Sequence, residues 1–150
     1  MLAFAAGPWH LHAAMEEGTR PSVLLVEDDA EVRSSVAEIL ELEGFAVETA
    51  VHGQQALDKL RSGACPNVML LDLMMPVMNG LELLEHLRAE AELRPPPVIV
   101  LSANRGYDAE DLGVAAVVRK PFDVDALVGN IATVLRKAGH APPEPSRAGI

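Results

Sequence analysis

A single cysteine, Cys65, rules out any disulfide within the chain. That usage suits a reducing compartment, and a cytoplasmic location is expected. Cys65 precedes Pro66 and has no partner histidine in a nearby motif, so it reads as a half-buried packing residue ahead of a strand. Basic residues are scarce as well: 12 Lys and Arg stand against 22 Asp and Glu, for a net charge of −10. Phosphate backbones attract Lys and Arg, and no basic stripe interrupts the acidic balance, so no direct DNA binding is expected. No uninterrupted apolar run reaches the roughly 18 residues that a membrane helix needs, so no membrane span is expected. The first fourteen residues carry no Lys or Arg ahead of their apolar part, which excludes a secretory signal. His10, His12, His52, His86 and His140 show no Cys or Glu at metal-binding spacing, apart from the His10–His12 pair itself. All five read as surface residues.

What is present is a core-forming chain. Its apolar share of 49% over 150 residues is enough for one globular domain. Residues 1–20 show no steady period and read as a flexible N-terminal arm. Residues 139–150 include Pro142, Pro143 and Pro145 and read as a disordered tail. The folded domain is expected over 21–138, and the stretch beyond its last helix is too short for an output domain.

Inside that span the pattern alternates between strand and helix. Val23 to Val26 is an apolar strand. Val32, Val36, Ile39 and Leu40 then recur at helical spacing until Gly44. Phe45 to Thr49 is a short strand, and Gly53 to Arg61 is a helix with Ala56, Leu57 and Leu60 inward. Val68 to Leu71 is a third strand, followed by a helix marked by Leu81, Leu83, Leu84 and Leu87. Val98 to Leu101 is a fourth strand. Asp108 to Leu112 allows one short helical turn, Val114 to Val118 forms the last strand, and Asp123 caps a final helix facing inward through Leu127, Ile131, Val134 and Leu135. Five strands alternating with five helices predict an α/β fold with a parallel sheet covered on both faces.

The strand ends carry the chemistry. The first strand delivers Glu27, Asp28 and Asp29, the third delivers Asp72, and the fourth delivers Ser102. Open α/β sheets put their ligands at the carboxyl edge, which is where these groups land. Carboxylates gathered there repel one another and raise each other's proton affinity unless a cation joins them. A hard divalent ion with oxygen ligands answers that, and Mg²⁺ is the expected cofactor. A Ca²⁺ loop is excluded, because Asp28-Asp29-Ala30-Glu31-Val32-Arg33 lacks both alternating acids and a glycine at the sixth position.

Four motifs in this order resemble the receiver domain of two-component response regulators. They are Glu27-Asp28, the segment Asp72…Met75-Pro76…Asn79-Gly80, Ser102, and Lys120-Pro121-Phe122. The resemblance runs from about Ser22 to Arg136. It implies a flavodoxin-like, doubly wound sheet of strand order 2-1-3-4-5. It also implies that Asp72 is the phosphoacceptor, with Asp28, Asp72 and the backbone carbonyl of Met74 as Mg²⁺ ligands and Glu27 acting through water. Lys120 would be the cationic clamp on the phosphoryl oxygens, after a cis bond to Pro121, and Ser102 the switch hydroxyl. The implied phosphodonor is a sensor histidine kinase or phosphotransfer protein, and the output is an unidentified downstream protein.

Two departures from the family pattern stand out. Ser102 to Lys120 spans eighteen residues, about four short, so the fourth helix is expected to be truncated. The position three before Lys120 is Val117, where the family usually has an aromatic switch residue, and Tyr107 is the only tyrosine. The leading expectation, from the short stretch after the last helix, is a stand-alone response regulator, a signalling module and not an enzyme. The alternative is a pseudo-receiver that binds its partner constitutively. A flavodoxin-like or phosphatase enzyme stands third, since no Gly-rich phosphate loop follows the first strand.

Overall fold

The computed structural model describes residues 20–103 and 106–140; the expected arm falls outside them apart from Arg20, as does the expected tail beyond His140. In chain order the elements are β1 (Ser22–Val26), α1 (Ala30–Leu42), β2 (Ala46–Ala50), α2 (Gly53–Arg61), β3 (Val68–Asp72) and α3 (Gly80–Ala89). A single 3₁₀ turn (Ala91–Leu93) leads to β4 (Val98–Ser102), α4 (Ala109–Leu112), β5 (Ala116–Arg119) and α5 (Val124–Lys137). The strands form one parallel sheet in the order β2-β1-β3-β4-β5. The order reverses direction beside β1 and β3, and the loops leaving those two strands therefore open onto a shared crevice.

The alternation of side chains along each strand divides the core in two. Leu24, Val26, Met69, Leu71, Val98 and Val100 pack against α2, α3 and α4. Their neighbours Val23, Leu25, Val68, Leu70, Ile99 and Leu101 pack against α1 and α5. Every residue of β1, β3 and β4 is buried, as expected for strands covered on both faces.

Four local expectations shift. β2 begins at Ala46 rather than Phe45, because the Phe45 N–H donates to Leu40 O (3.0 Å) and closes the end of α1 instead of joining the sheet. β5 begins at Ala116 rather than Val114: the Val114 N–H closes α4 on Ala109 O (3.0 Å) after Gly113 turns the chain at φ 70°. Cys65 is exposed rather than half-buried, its thiol reaching only the Gly63 carbonyl (3.4 Å). His52 and His86 are half-buried rather than surface residues: His52 caps α2, its Nδ1 accepting from the Gln55 N–H (3.1 Å), and His86 lies in the last turn of α3 with Nδ1 3.6 Å from Glu90 Oε2. The expected truncation of the fourth helix is present, for α4 has four residues.

Among the described residues beside the crevice, the loop between β3 and α3 carries a conspicuous backbone outlier. Val77 has φ 68°, and the Met78 N–H donates across it to Pro76 O (2.8 Å), closing a γ-turn of the strained positive-φ kind. Anchors on either side hold the turn. Met75 and Met78 are buried, and the Gly53 N–H donates to Met78 O (3.1 Å). A Cβ on Gly53 would lie 2.7 Å from that oxygen, and one on Gly80 would lie 2.8 Å from Leu73 Cα, so both positions need glycine. Val77 itself is 76% exposed and packs against little that offsets its strain. Positive φ costs an L-residue about 1–2 kcal/mol, more than the extra unfolded-state freedom of glycine. Val77→Gly is therefore expected to raise the urea midpoint with an unchanged slope, by about 1 kcal/mol of stability. A lowered midpoint would mean that Val77 makes a stabilising contact that its exposure belies.

Candidate functional site

The site assembles at the carboxyl ends of β1, β3 and β4. β1 and β3 are adjacent and parallel, with Val26 in register with Leu71, so the residues that follow each strand emerge side by side. Glu27 follows β1 directly and is almost wholly buried. Its backbone extends the sheet by one bond, donating to Ala50 O (3.0 Å). Asp28 is exposed at the mouth, and Asp72, the last residue of β3, is buried at the floor. One carboxylate oxygen from each of Glu27, Asp28 and Asp72 lies within 4.8 Å of the others.

A cation enters from the far side of the sheet. The Lys120 N–H donates to Ser102 O (2.9 Å), continuing the β4–β5 pairing one residue past Arg119. That brings the Lys120 ammonium to 3.5 Å from Glu27 Oε1 and 3.4 Å from Asp72 Oδ2. The Lys120–Pro121 peptide bond is cis. Ser102 is buried at the end of β4, one position beyond the register partner of Asp72. Met74 is exposed, and its N–H donates to Asp72 Oδ1 (3.1 Å), which orients the carboxylate.

The electrostatics leave Glu27 the most strained group. Burial pushes its pKa up to about 7; the Asp29 N–H bond to Oε2 (3.1 Å) works against that, and the Asp72 charge adds to it. One lysine paired with two of the three carboxylates does not neutralise the cluster. All the donor atoms are hard oxygens, and the excess negative charge suits a hard dication.

The residues picked out from sequence thus meet as a group: Glu27, Asp28, Asp72 and Lys120 converge, with Ser102 and Met74 on their border. Asp29 stands apart from the cluster and caps α1, its Oδ1 accepting from the N–H groups of Glu31 (2.9 Å) and Val32 (3.1 Å). Sequence reasoning missed Arg33. Its Nη1 donates to the carbonyls of Glu27 (2.9 Å) and Asp28 (3.3 Å). One signal was available. Arg33 is the only basic residue of α1 and sits near its N-terminus, where the helix dipole disfavours a cation.

Comparison with known proteins agrees with this fold. The model of the response regulator receiver domain family matches residues 23–132. The transcriptional regulatory protein CpxR of Escherichia coli K12 is 40% identical over 121 residues, covering 77% of this chain and 50% of its own length. The transcriptional regulatory protein CseB of Streptomyces coelicolor is 40% identical over 123 residues, covering 79% of this chain and 51% of its own length. Among solved structures, the receiver domain of Francisella response regulator 1452 superposes with a TM-score of 0.72 at 28% identity, over 79% of this chain and 99% of that one. The chemotaxis response regulator CheY4 of Vibrio cholerae gives 0.68 at 30% identity, over 77% and 99%.

The chain spans about half the length of the curated relatives it matches. Those relatives are transcriptional regulatory proteins, and this overturns the expectation of no direct DNA binding. The acidic balance that prompted the expectation is a property of these 150 residues. It carries no information on the half of each relative that lies beyond the match. Among the described residues no helix is long and apolar enough to cross a membrane.

Proposed function

The chain belongs to the response regulator receiver domain family, and from that membership we propose that Asp72 accepts a phosphoryl group from the phosphohistidine of a sensor histidine kinase or phosphotransfer protein. The observation that carries the reading is the Lys120 ammonium, 3.4 Å from Asp72 Oδ2 and 3.5 Å from Glu27 Oε1, beside a cluster of three carboxylates. Receiver domains are signalling modules, and the chemistry needed of this one is a single covalent transfer.

Glu27, Asp28 and Asp72 would hold Mg²⁺, with the Met74 carbonyl as a further ligand. When bound, the ion would supply positive charge in addition to that of Lys120, so that an anionic nucleophile and an anionic phosphoryl group can approach. The rest falls to the side chains. The Met74 N–H fixes one oxygen of Asp72 at 3.1 Å, leaving Oδ2 on the Lys120 side. A carboxylate oxygen attacks phosphorus, an O–P bond forms, and the P–N bond to the donor imidazole breaks with its electron pair returning to nitrogen. Lys120 then binds the phosphoryl oxygens, and Ser102 donates its hydroxyl to one of them. The altered surface signals through protein–protein contacts. A cytoplasmic location fits a lone cysteine that needs no partner.

The expectation of a stand-alone regulator rested on the length of chain after α5, and with relatives twice the matched length it is set aside. The pseudo-receiver alternative draws on the four-residue α4 and on Val117, but Leu112 and Val117 pack with the core layer of α2 and α3, while the ion pairs of Lys120 are made to Glu27 and Asp72. Incubation with Mg²⁺ and acetyl phosphate, followed by intact-mass measurement, tests the proposal. The expected result is one added phosphoryl group per chain, lost on acid or base treatment and absent when EDTA replaces Mg²⁺. An unchanged mass under conditions where Mg²⁺ binds would overturn it in favour of the pseudo-receiver.

A further inference from the structure

The turn between β1 and α1 carries two of the three clustered carboxylates, and its conformation has an identifiable support. A cation near a helix N-terminus is disfavoured by the partial positive charge there. Arg33 occupies such a place, four residues after the Asp29 cap, and its own N–H donates to Asp29 O (2.8 Å) in the first turn of α1. Helical side chains lean toward the N-terminus, so a long residue here reaches back over the preceding turn. The guanidinium does so. Nη1 donates to Glu27 O at 2.9 Å and to Asp28 O at 3.3 Å, the carbonyls of consecutive residues.

We propose that Arg33 is a positioning residue for metal binding: by gripping both carbonyls it fixes the peptide planes of the turn and presets the carboxylates of Glu27 and Asp28. The inference rests on reading Glu27, Asp28 and Asp72 as Mg²⁺ ligands. The turn is held from two directions. On the acid side the Asp29 N–H donates to Glu27 Oε2 (3.1 Å), which ties the buried carboxylate to the backbone one residue past Asp28. On the helix side Arg33 holds the carbonyls. Without it the Glu27 and Asp28 carbonyls lose the donor that fixes their peptide planes, and on this side of the cluster the Asp29 N–H bond to Glu27 Oε2 is left to hold the turn alone.

The sign of the effect separates positioning from simple charge. Arg33 is a cation close to a dication site, so if it acted through charge alone its removal would tighten Mg²⁺ binding. Positioning predicts the reverse. Partners that orient metal ligands typically cost about 10-fold or more in affinity when removed. The test is an Mg²⁺ titration followed by the backbone amide NMR shifts of residues 27–29, on the wild-type chain and on Arg33→Met, Arg33→Lys and Asp28→Ala. Arg33→Met keeps the aliphatic stem and loses the donors; it is expected to weaken Mg²⁺ about 10-fold. Arg33→Lys keeps charge but presents a compact ammonium in place of a planar fork, and its affinity is expected to fall between the two. Thermal unfolding in EDTA accompanies each titration, and the loss of affinity should exceed anything that the change in stability accounts for. If Arg33→Met does not fold, Arg33→Lys decides alone. Equal or tighter Mg²⁺ binding in the folded Arg33 variants, alongside weakened binding in Asp28→Ala, overturns the proposal and leaves the ligand assignment intact. A wild-type chain with no Mg²⁺ response at residues 27–29 overturns the ligand assignment itself.

Discussion

Asp72→Asn is expected to abolish phosphorylation by acetyl phosphate completely while leaving a folded protein. The carboxamide keeps the shape of the side chain, and its oxygen still accepts the Met74 N–H that Asp72 Oδ1 accepts at 3.1 Å. What it lacks is an anionic oxygen able to attack phosphorus. Stability should not fall. Asp72 is buried beside Glu27, and the like charges of the two raise the energy of the ionised pair. In EDTA at neutral pH the variant should therefore unfold at the same temperature as the wild-type chain or a higher one. Intact-mass measurement reads the first expectation and thermal unfolding the second. Labelling of the variant to the wild-type level would remove Asp72 from the acceptor role. Peptide mapping would then show whether Asp28, at the mouth of the same cluster, had taken it.

The legibility of this site in the sequence has a physical explanation. A parallel sheet puts every strand's carboxyl end on one edge, so any acid or hydroxyl that directly follows an apolar run is brought to that edge without knowledge of tertiary contacts. Glu27, Asp28, Asp72 and Ser102 were readable for that reason. Lys120 follows the last strand by the same logic. Burial on both faces also made β1, β3 and β4 readable, since their apolar runs are continuous. The weaker strands were less clear. At β5 the burial is mixed, and the start of the strand depends on where Gly113 closes α4, a choice of one left-handed residue that hydrophobic period does not report.

Arg33 and Val77 lay outside sequence reasoning for a different reason. Each matters through the backbone. Arg33 binds carbonyl oxygens, which every residue possesses, so no pattern of side chains announces its partners. Val77 is a β-branched residue at positive φ, where local preference predicts the opposite. Its conformation follows from the anchors on either side of it, Met75, Met78 and the close approach of Gly53, and only the folded chain brings those together.

Glu27 links the site to stability, and its pH dependence has a definite sign. Its carboxyl stands at about 7 in the folded protein against 4.5 for the ordinary group; burial raises it most, the Asp29 N–H opposes, and the Asp72 charge adds to the rise. A carboxyl whose folded pKa is raised binds its proton more tightly folded than unfolded. Below pH 4.5 it is protonated in both states and contributes no penalty. As pH climbs from 4.5 to 7 the unfolded chain ionises first, and the metal-free fold loses stability, by about 3 kcal/mol on the conversion of 1.36 kcal/mol per unit. Above 7 the penalty is constant. Glu27→Gln removes the titration while its side-chain oxygen can still accept the Asp29 N–H. Urea unfolding in EDTA should find the variant more stable than the wild-type chain at pH 8 and close to it at pH 4.5. Taking the difference between the two proteins cancels the titration of all other groups that the substitution leaves alone. Mg²⁺ is expected to reverse the order at pH 8, because a dication stabilises the ionised Glu27 that the fold alone disfavours and gains less from a neutral amide. For the wild-type chain, Mg²⁺ should accordingly raise the unfolding temperature more at pH 8 than at pH 5, with protons released on binding in between. Parallel pH profiles for the wild-type chain and Glu27→Gln in EDTA would mean that Glu27 titrates alike in the folded and unfolded chains, its burial already compensated by Lys120 at 3.5 Å.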